Sequence, residues 1–140
     1  CKVEGATGYI DTNFEGKMQA AFDELKNGQD YVYIHVEAPD ECGHRGEIQN
    51  KVRAIEEIDN KILAPLLEKL KGLDDFTILI MPDHPTPLST MTHASDPVPY
   101  LLYRSNKPVK SAGIFSEKGA KDSGIYVEKA CTLIEKMKEN

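Results

Sequence analysis

The chain has 140 residues, 40% hydrophobic and 29% charged, the size and composition of one globular domain able to bury a core. A formal net charge of −6 and a pI of about 5.2 leave no basic footprint for nucleic acid or anionic lipid. No apolar run reaches the roughly 18 residues of a membrane span, and the opening CKVEGATG lacks the basic start and apolar stretch of a secretory signal.

Residues 1–12 read as a turn-rich lead-in broken by Gly5 and Gly8. Asp11, Thr12 or Asn13 can cap a helix over 13–27, where Phe14, Met18, Ala21, Phe22 and Leu25 recur at helical spacing. Asn27 and Gly28 stop it. YVYIHVE (31–37) is β-branched, aromatic and nearly all apolar, as a strand buried on both faces would be. A helical pattern over 46–71 sets Ile48, Val52, Ile55, Ile58, Ile62, Leu66 and Leu70 along one face; Pro65 is expected to kink or divide it, and Gly72 to end it. FTILIMP (76–82) reads as a second buried strand, 83–97 as irregular, and VPYLLYR (98–104) as a third strand. A polar loop over 105–123 leads to an amphipathic helix over 126–138, carrying Val127, Ala130, Leu133, Ile134 and Met137. This order predicts an α/β layered fold, a largely parallel sheet flanked by helices.

Cys1, Cys42 and Cys131 lie far apart with no C-x-x-C pair, which argues against a disulfide framework and a structural zinc knuckle. A reducing, cytoplasmic setting follows. A first residue other than Met suggests a piece of something longer.

In an open α/β sheet, ligands bind outside the carboxyl ends of the strands, and the polar clusters fall there. Asp40 and His44 follow the first predicted strand in EAPDECGH, and Asp83 and His84 follow the second. His93, in TMTHASDPVP, lies on the loop entering the third. Carboxylate and imidazole suit Mn²⁺, Zn²⁺ or iron, and five candidate ligands suit two ions roughly 3.5–4 Å apart, as in phosphoryl chemistry. Blander accounts stand beside this. An Asp after a strand is commonly a helix cap or turn former, and Asp83-His84-Pro85 can be punctuation between breakers. His35, inside a strand, reads as a packed or hydrogen-bonded core residue, and Glu37 is open to either reading. Glu56, Glu57 and Asp59 read as a solvated helix face. Cys42 reads as incidental, because a thiolate is an odd ligand among hard oxygens.

These residues carry a family resemblance. HVEAPDECGH with the following EIQNKVRAIEEIDNKILAPLL, then ILIMPDHPTP and THASDPVPYLLY, resemble the cofactor-independent phosphoglycerate mutases, closest to their archaeal-type branch, within the alkaline phosphatase superfamily. GATGYIDTNFEGK is similar to the segment that returns the family's chain from an inserted domain. The resemblance implies a two-metal phosphoserine mechanism interconverting 3-phosphoglycerate and 2-phosphoglycerate. It places one ion on Asp40, His44 and His93. The second would take Asp83 and His84, plus an Asp and the nucleophilic Ser from the family's amino-terminal part. Mn²⁺ is the leading ion, with Zn²⁺, Mg²⁺ and Co²⁺ as substitutes. The implied partner is a phosphorylated small molecule, with neither nucleic acid nor membrane.

By the same resemblance, residues 1–140 are a carboxyl-terminal fragment, the last portion of a metal-binding phosphatase domain with an alkaline-phosphatase-like fold. Residues 1–12 would be the lead-in from the inserted domain. Ser89, Ser95 and Ser105 all follow the second predicted strand, where the family's nucleophile does not lie. No catalytic residue is therefore assigned within the chain, and by itself it is expected to be inactive. Two other readings share these motifs: a phosphatase or proposed homoserine kinase of the same superfamily, and a non-catalytic α/β domain with structural histidines.

Overall fold

A computed structural model describes residues 1–110 and 113–138. The chain falls into two units, residues 1–74 with 86–94 and residues 75–85 with 95–140.

In the first unit, the Asn13 side chain accepts a hydrogen bond from the Gly16 amide at 2.8 Å and starts α1 (Phe14–Lys26). Of the three candidate caps, Asn13 is the one used. Phe14, Met18 and Ala21 form the buried face of α1, and Asn27 ends it with its amide bonded to the Asp23 carbonyl.

The run 31–37 forms no ladder among the described residues. Tyr31, Tyr33, His35 and Glu37 are exposed and alternate with half-buried Val32, Ile34 and Val36, so the expected doubly buried strand is corrected to a segment covered on one side only. His35 is no core residue. Its Nδ1 meets the Tyr33 hydroxyl at 3.0 Å, and its carbonyl accepts from Lys17 Nζ at 2.7 Å. Apolar composition makes double burial possible, but only neighbours on both sides produce it.

Next comes a helix where the residue pattern suggests a loop, α2 (Ala38–His44). Pro39 stands in its first turn, where a missing N–H costs nothing. The predicted long helix is a continuous run of α3 (Ile48–Ile58), a π-helical stretch (Asp59–Leu63) and α4 (Ala64–Leu70). Pro65 cannot donate to the carbonyl four residues back, and the wider π turn sits directly before it. Proline here changes the helical register instead of dividing the helix. Buried Ala54, Ile62, Leu66 and Leu70 lie at steps of four or eight, which drift away from the 3.6-residue line. Ile48, Val52 and Ile55 are each more than half exposed, so the single predicted face splits in two. Arg53, Glu57 and Lys61 pair across the solvated side, and the Lys61 hydrogen bond holds the Glu57 carboxyl below its ordinary range.

In the second unit, β1 (Thr77–Ile80) and β2 (Leu101–Arg104) pair with Thr77 opposite Arg104 and Ile80 opposite Leu101. The pairing is antiparallel, which corrects the expected parallel sheet for the described residues. A parallel neighbour needs a crossover, usually helical, to carry the chain back to its starting end. The segment 81–100 contains no helix, so the chain re-enters from the end at which it left. Past β2, Ser116 caps α5 (Glu117–Asp122) by accepting from the Gly119 amide at 3.1 Å. The closing helix is shorter than expected: a 3₁₀ turn (Ala130–Thr132) leads into α6 (Leu133–Lys138), while residues 139–140 lie outside the described residues. Leu133 is its buried anchor, and the Arg104 guanidinium donates to the Lys136 carbonyl at 2.5 Å.

Candidate metal centre

Helix α2 brings the first two candidate ligands together. Four residues apart, Asp40 and His44 stand one above the other on the same helix face, with Asp40 Oδ2 at 3.3 Å from His44 Nε2. Asp40 is also in the first turn, where a carboxylate complements the helix dipole. The segment 86–94 of the same unit supplies the third. His93 Nε2 lies 3.0 Å from His44 Nε2 and 3.6 Å from Asp40 Oδ1.

Two features set the electronic state of the pair of imidazoles. The Met91 carbonyl lies 3.0 Å from His44 Nδ1. A carbonyl can only accept, so the proton sits on Nδ1 and the lone pair is left on Nε2. His93 Nε2 stands 3.0 Å from that lone pair, within hydrogen-bond distance, so a proton on His93 Nε2 or a cation between the two nitrogens can be shared by both rings. Met91 reaches its position with φ of +51°, a left-handed backbone unusual outside glycine.

The spacing suits an ion. Ligands about 2.0–2.2 Å from a metal stand about 2.8–3.6 Å apart for angles between 90° and tetrahedral, and the three separations here are 3.0, 3.3 and 3.6 Å. Two imidazoles with one carboxylate form a borderline donor set suited to a first-row divalent ion. Burial raises the neighbouring Cys42 thiol above its ordinary pKa, with help from the Glu47 charge.

Close packing holds the two segments in register. A Cβ on Gly43 would lie 2.9 Å from the Thr86 carbonyl oxygen, so only glycine admits this approach. The Thr86 hydroxyl donates to Asp40 Oδ1, and Lys51 Nζ donates to the Thr86 carbonyl at 2.8 Å. Sequence reasoning missed Thr86, Lys51 and the Met91 carbonyl. A threonine beside Pro85 in PDHPTP is the only written trace of them. The remaining candidates, Asp83 and His84, belong to the second unit, just past β1, with His84 Nε2 3.5 Å from Asp83 Oδ2.

A carboxylate and two imidazoles converge here from a helix and a loop, a donor set of the kind that suits a divalent ion. The chain belongs to the metalloenzyme superfamily, whose family profile matches residues 1–131. More particularly, it is 49% identical over 135 residues to the 2,3-bisphosphoglycerate-independent phosphoglycerate mutase of Methanosarcina mazei, covering 95% of this chain and 34% of that protein. To the probable enzyme of the same name from Geobacter sulfurreducens it is 46% identical over 138 residues, covering 97% and 34%. A solved structure from Pyrococcus horikoshii superposes with a TM-score of 0.73 at 31% identity, over 86% of this chain and 36% of that one. The chain thus spans about a third of the length of the curated relatives it matches. Among the described residues, no helix is long and apolar enough to cross a membrane.

Proposed function

We propose that this chain forms part of the metal centre of a cytoplasmic phosphoglycerate mutase, an isomerase that interconverts 3-phosphoglycerate and 2-phosphoglycerate through a phosphoserine intermediate. The observation that carries this is the convergence of Asp40, His44 and His93, in a chain 49% identical to a protein bearing that name. In this reading, residues 1–140 are the carboxyl-terminal portion of the phosphatase domain, with 1–12 as the lead-in from an inserted domain.

Asp40, His44 and His93 hold one divalent ion, Mn²⁺ foremost, and Asp83 with His84 contributes to a second. Such ions, when bound, lower the pKa of a hydroxyl nucleophile and neutralise charge on the transferring phosphoryl group. The chain's own residues prepare for this. The Met91 carbonyl keeps the His44 proton on Nδ1, and Asp40 presents one oxygen to each imidazole. The nucleophile is none of the five ligands, so they position and polarise without making the covalent bond.

The test is an assay of the full-length protein that carries this chain. Chelation should abolish mutase turnover and Mn²⁺ restore it, and His44→Ala should lower kcat/KM at least about 100-fold. A metal-loaded protein that hydrolyses phosphoesters or phosphorylates homoserine, with no mutase turnover, would contradict the reading.

A further inference from the structure

We propose that Thr86 is a positioning residue for the ligand Asp40, and that Lys51 anchors it. This rests on the metal-site reading above. An Asp carboxylate turns on a broad torsional profile, so its direction must be set from outside. Here each oxygen addresses one imidazole, with Oδ2 facing His44 at 3.3 Å and Oδ1 facing His93 at 3.6 Å. The Thr86 hydroxyl donates to Oδ1 and so sets the rotation that suits both rings.

Thr86 is well placed for this. It is 6% exposed, and it begins the segment that also carries His93 and the Met91 carbonyl. Its own backbone is held by the Lys51 ammonium at 2.8 Å, from α3. Gly43 lets the Thr86 carbonyl approach α2 to a distance a side chain would prevent. One residue therefore ties the ligand on the helix to the ligand on the loop. Removing an outer partner of this type weakens metal binding by about 10–100-fold.

Calorimetric titration with Mn²⁺ compares the full chain with three variants. Thr86→Val, which keeps the shape and removes the hydroxyl, should bind about 10–100-fold more weakly. Thr86→Ser should bind within about threefold of wild type, a rescue that a merely space-filling role would not require. Lys51→Met leaves the hydroxyl in place and removes its anchor, and should weaken binding about tenfold even if Thr86→Val unfolds. Thermal unfolding without metal separates loss of fold from loss of affinity. Thr86→Val or Lys51→Met binding like wild type, or Thr86→Ser binding no better than Thr86→Val, overturns the inference alone. A folded wild-type chain that binds no Mn²⁺ overturns the metal-site reading and this inference with it.

Discussion

At Gly43 the first unit leaves no room for one more carbon. A Cβ there would meet the Thr86 carbonyl oxygen at 2.9 Å and Lys51 Nζ at 2.7 Å. The lysine end can swing away, but the carbonyl belongs to the backbone and cannot move without its segment. Gly43→Ala should cost about 1–3 kcal/mol of stability, the usual range for overpacking. It should also weaken Mn²⁺ binding, because the displaced segment carries His93. Denaturant unfolding and a metal titration check the two effects, and an alanine variant that matches wild type in both would contradict the packing account. The candidate ligands could be singled out because Asp and His past the predicted strands are few and their types suit divalent ions. The partners that orient them were not. The Met91 carbonyl points at His44 only through a left-handed φ, and the contact of Thr86 with Asp40 spans 46 positions, neither of which leaves a local pattern.

Among the elements, α1 was the most legible. Its apolar spacing, cap and stop all agree, and Asn13 closes the first turn on the Gly16 amide. Asn13→Ala should cost about 1 kcal/mol; this is checked by denaturant unfolding, where no change would assign the cap to another group. Helix α2 was missed because a seven-residue stretch holding Pro39 and Gly43 carries no apolar spacing of its own. Pro39 is harmless in a first turn, and Gly43 answers to a neighbouring segment, which spacing cannot report. The opposite error arose at 31–37. Its composition is that of a buried strand, yet alternate side chains face solvent, because burial depends on the elements beside it. For β1 and β2 the strand positions were legible within a few residues, but their direction was not. Direction follows from the path of 81–100, a run whose prolines mark irregularity without giving a course.

For the whole molecule, the family was readable from three motifs in order, through their resemblance to the cofactor-independent phosphoglycerate mutases. The architecture was less so. The chain spans about a third of its curated relatives, and each unit is small enough that one misplaced partner changes which faces are covered. Exposed Ile48, Val52 and Ile55 show this on α3. Metal binding is nonetheless a property the whole chain should report, because an ion that binds only the folded state stabilises it by about 2.7 kcal/mol at a hundred times its Kd. The most direct measurement is therefore a paired Mn²⁺ titration, followed by calorimetry and by Tm, of the wild-type chain and His44→Ala. The account predicts saturable binding and a metal-dependent rise in Tm for wild type, and affinity at least about tenfold weaker with little rise in Tm for the variant. Equal binding and equal stabilisation of the two would contradict the placement of a divalent ion among Asp40, His44 and His93.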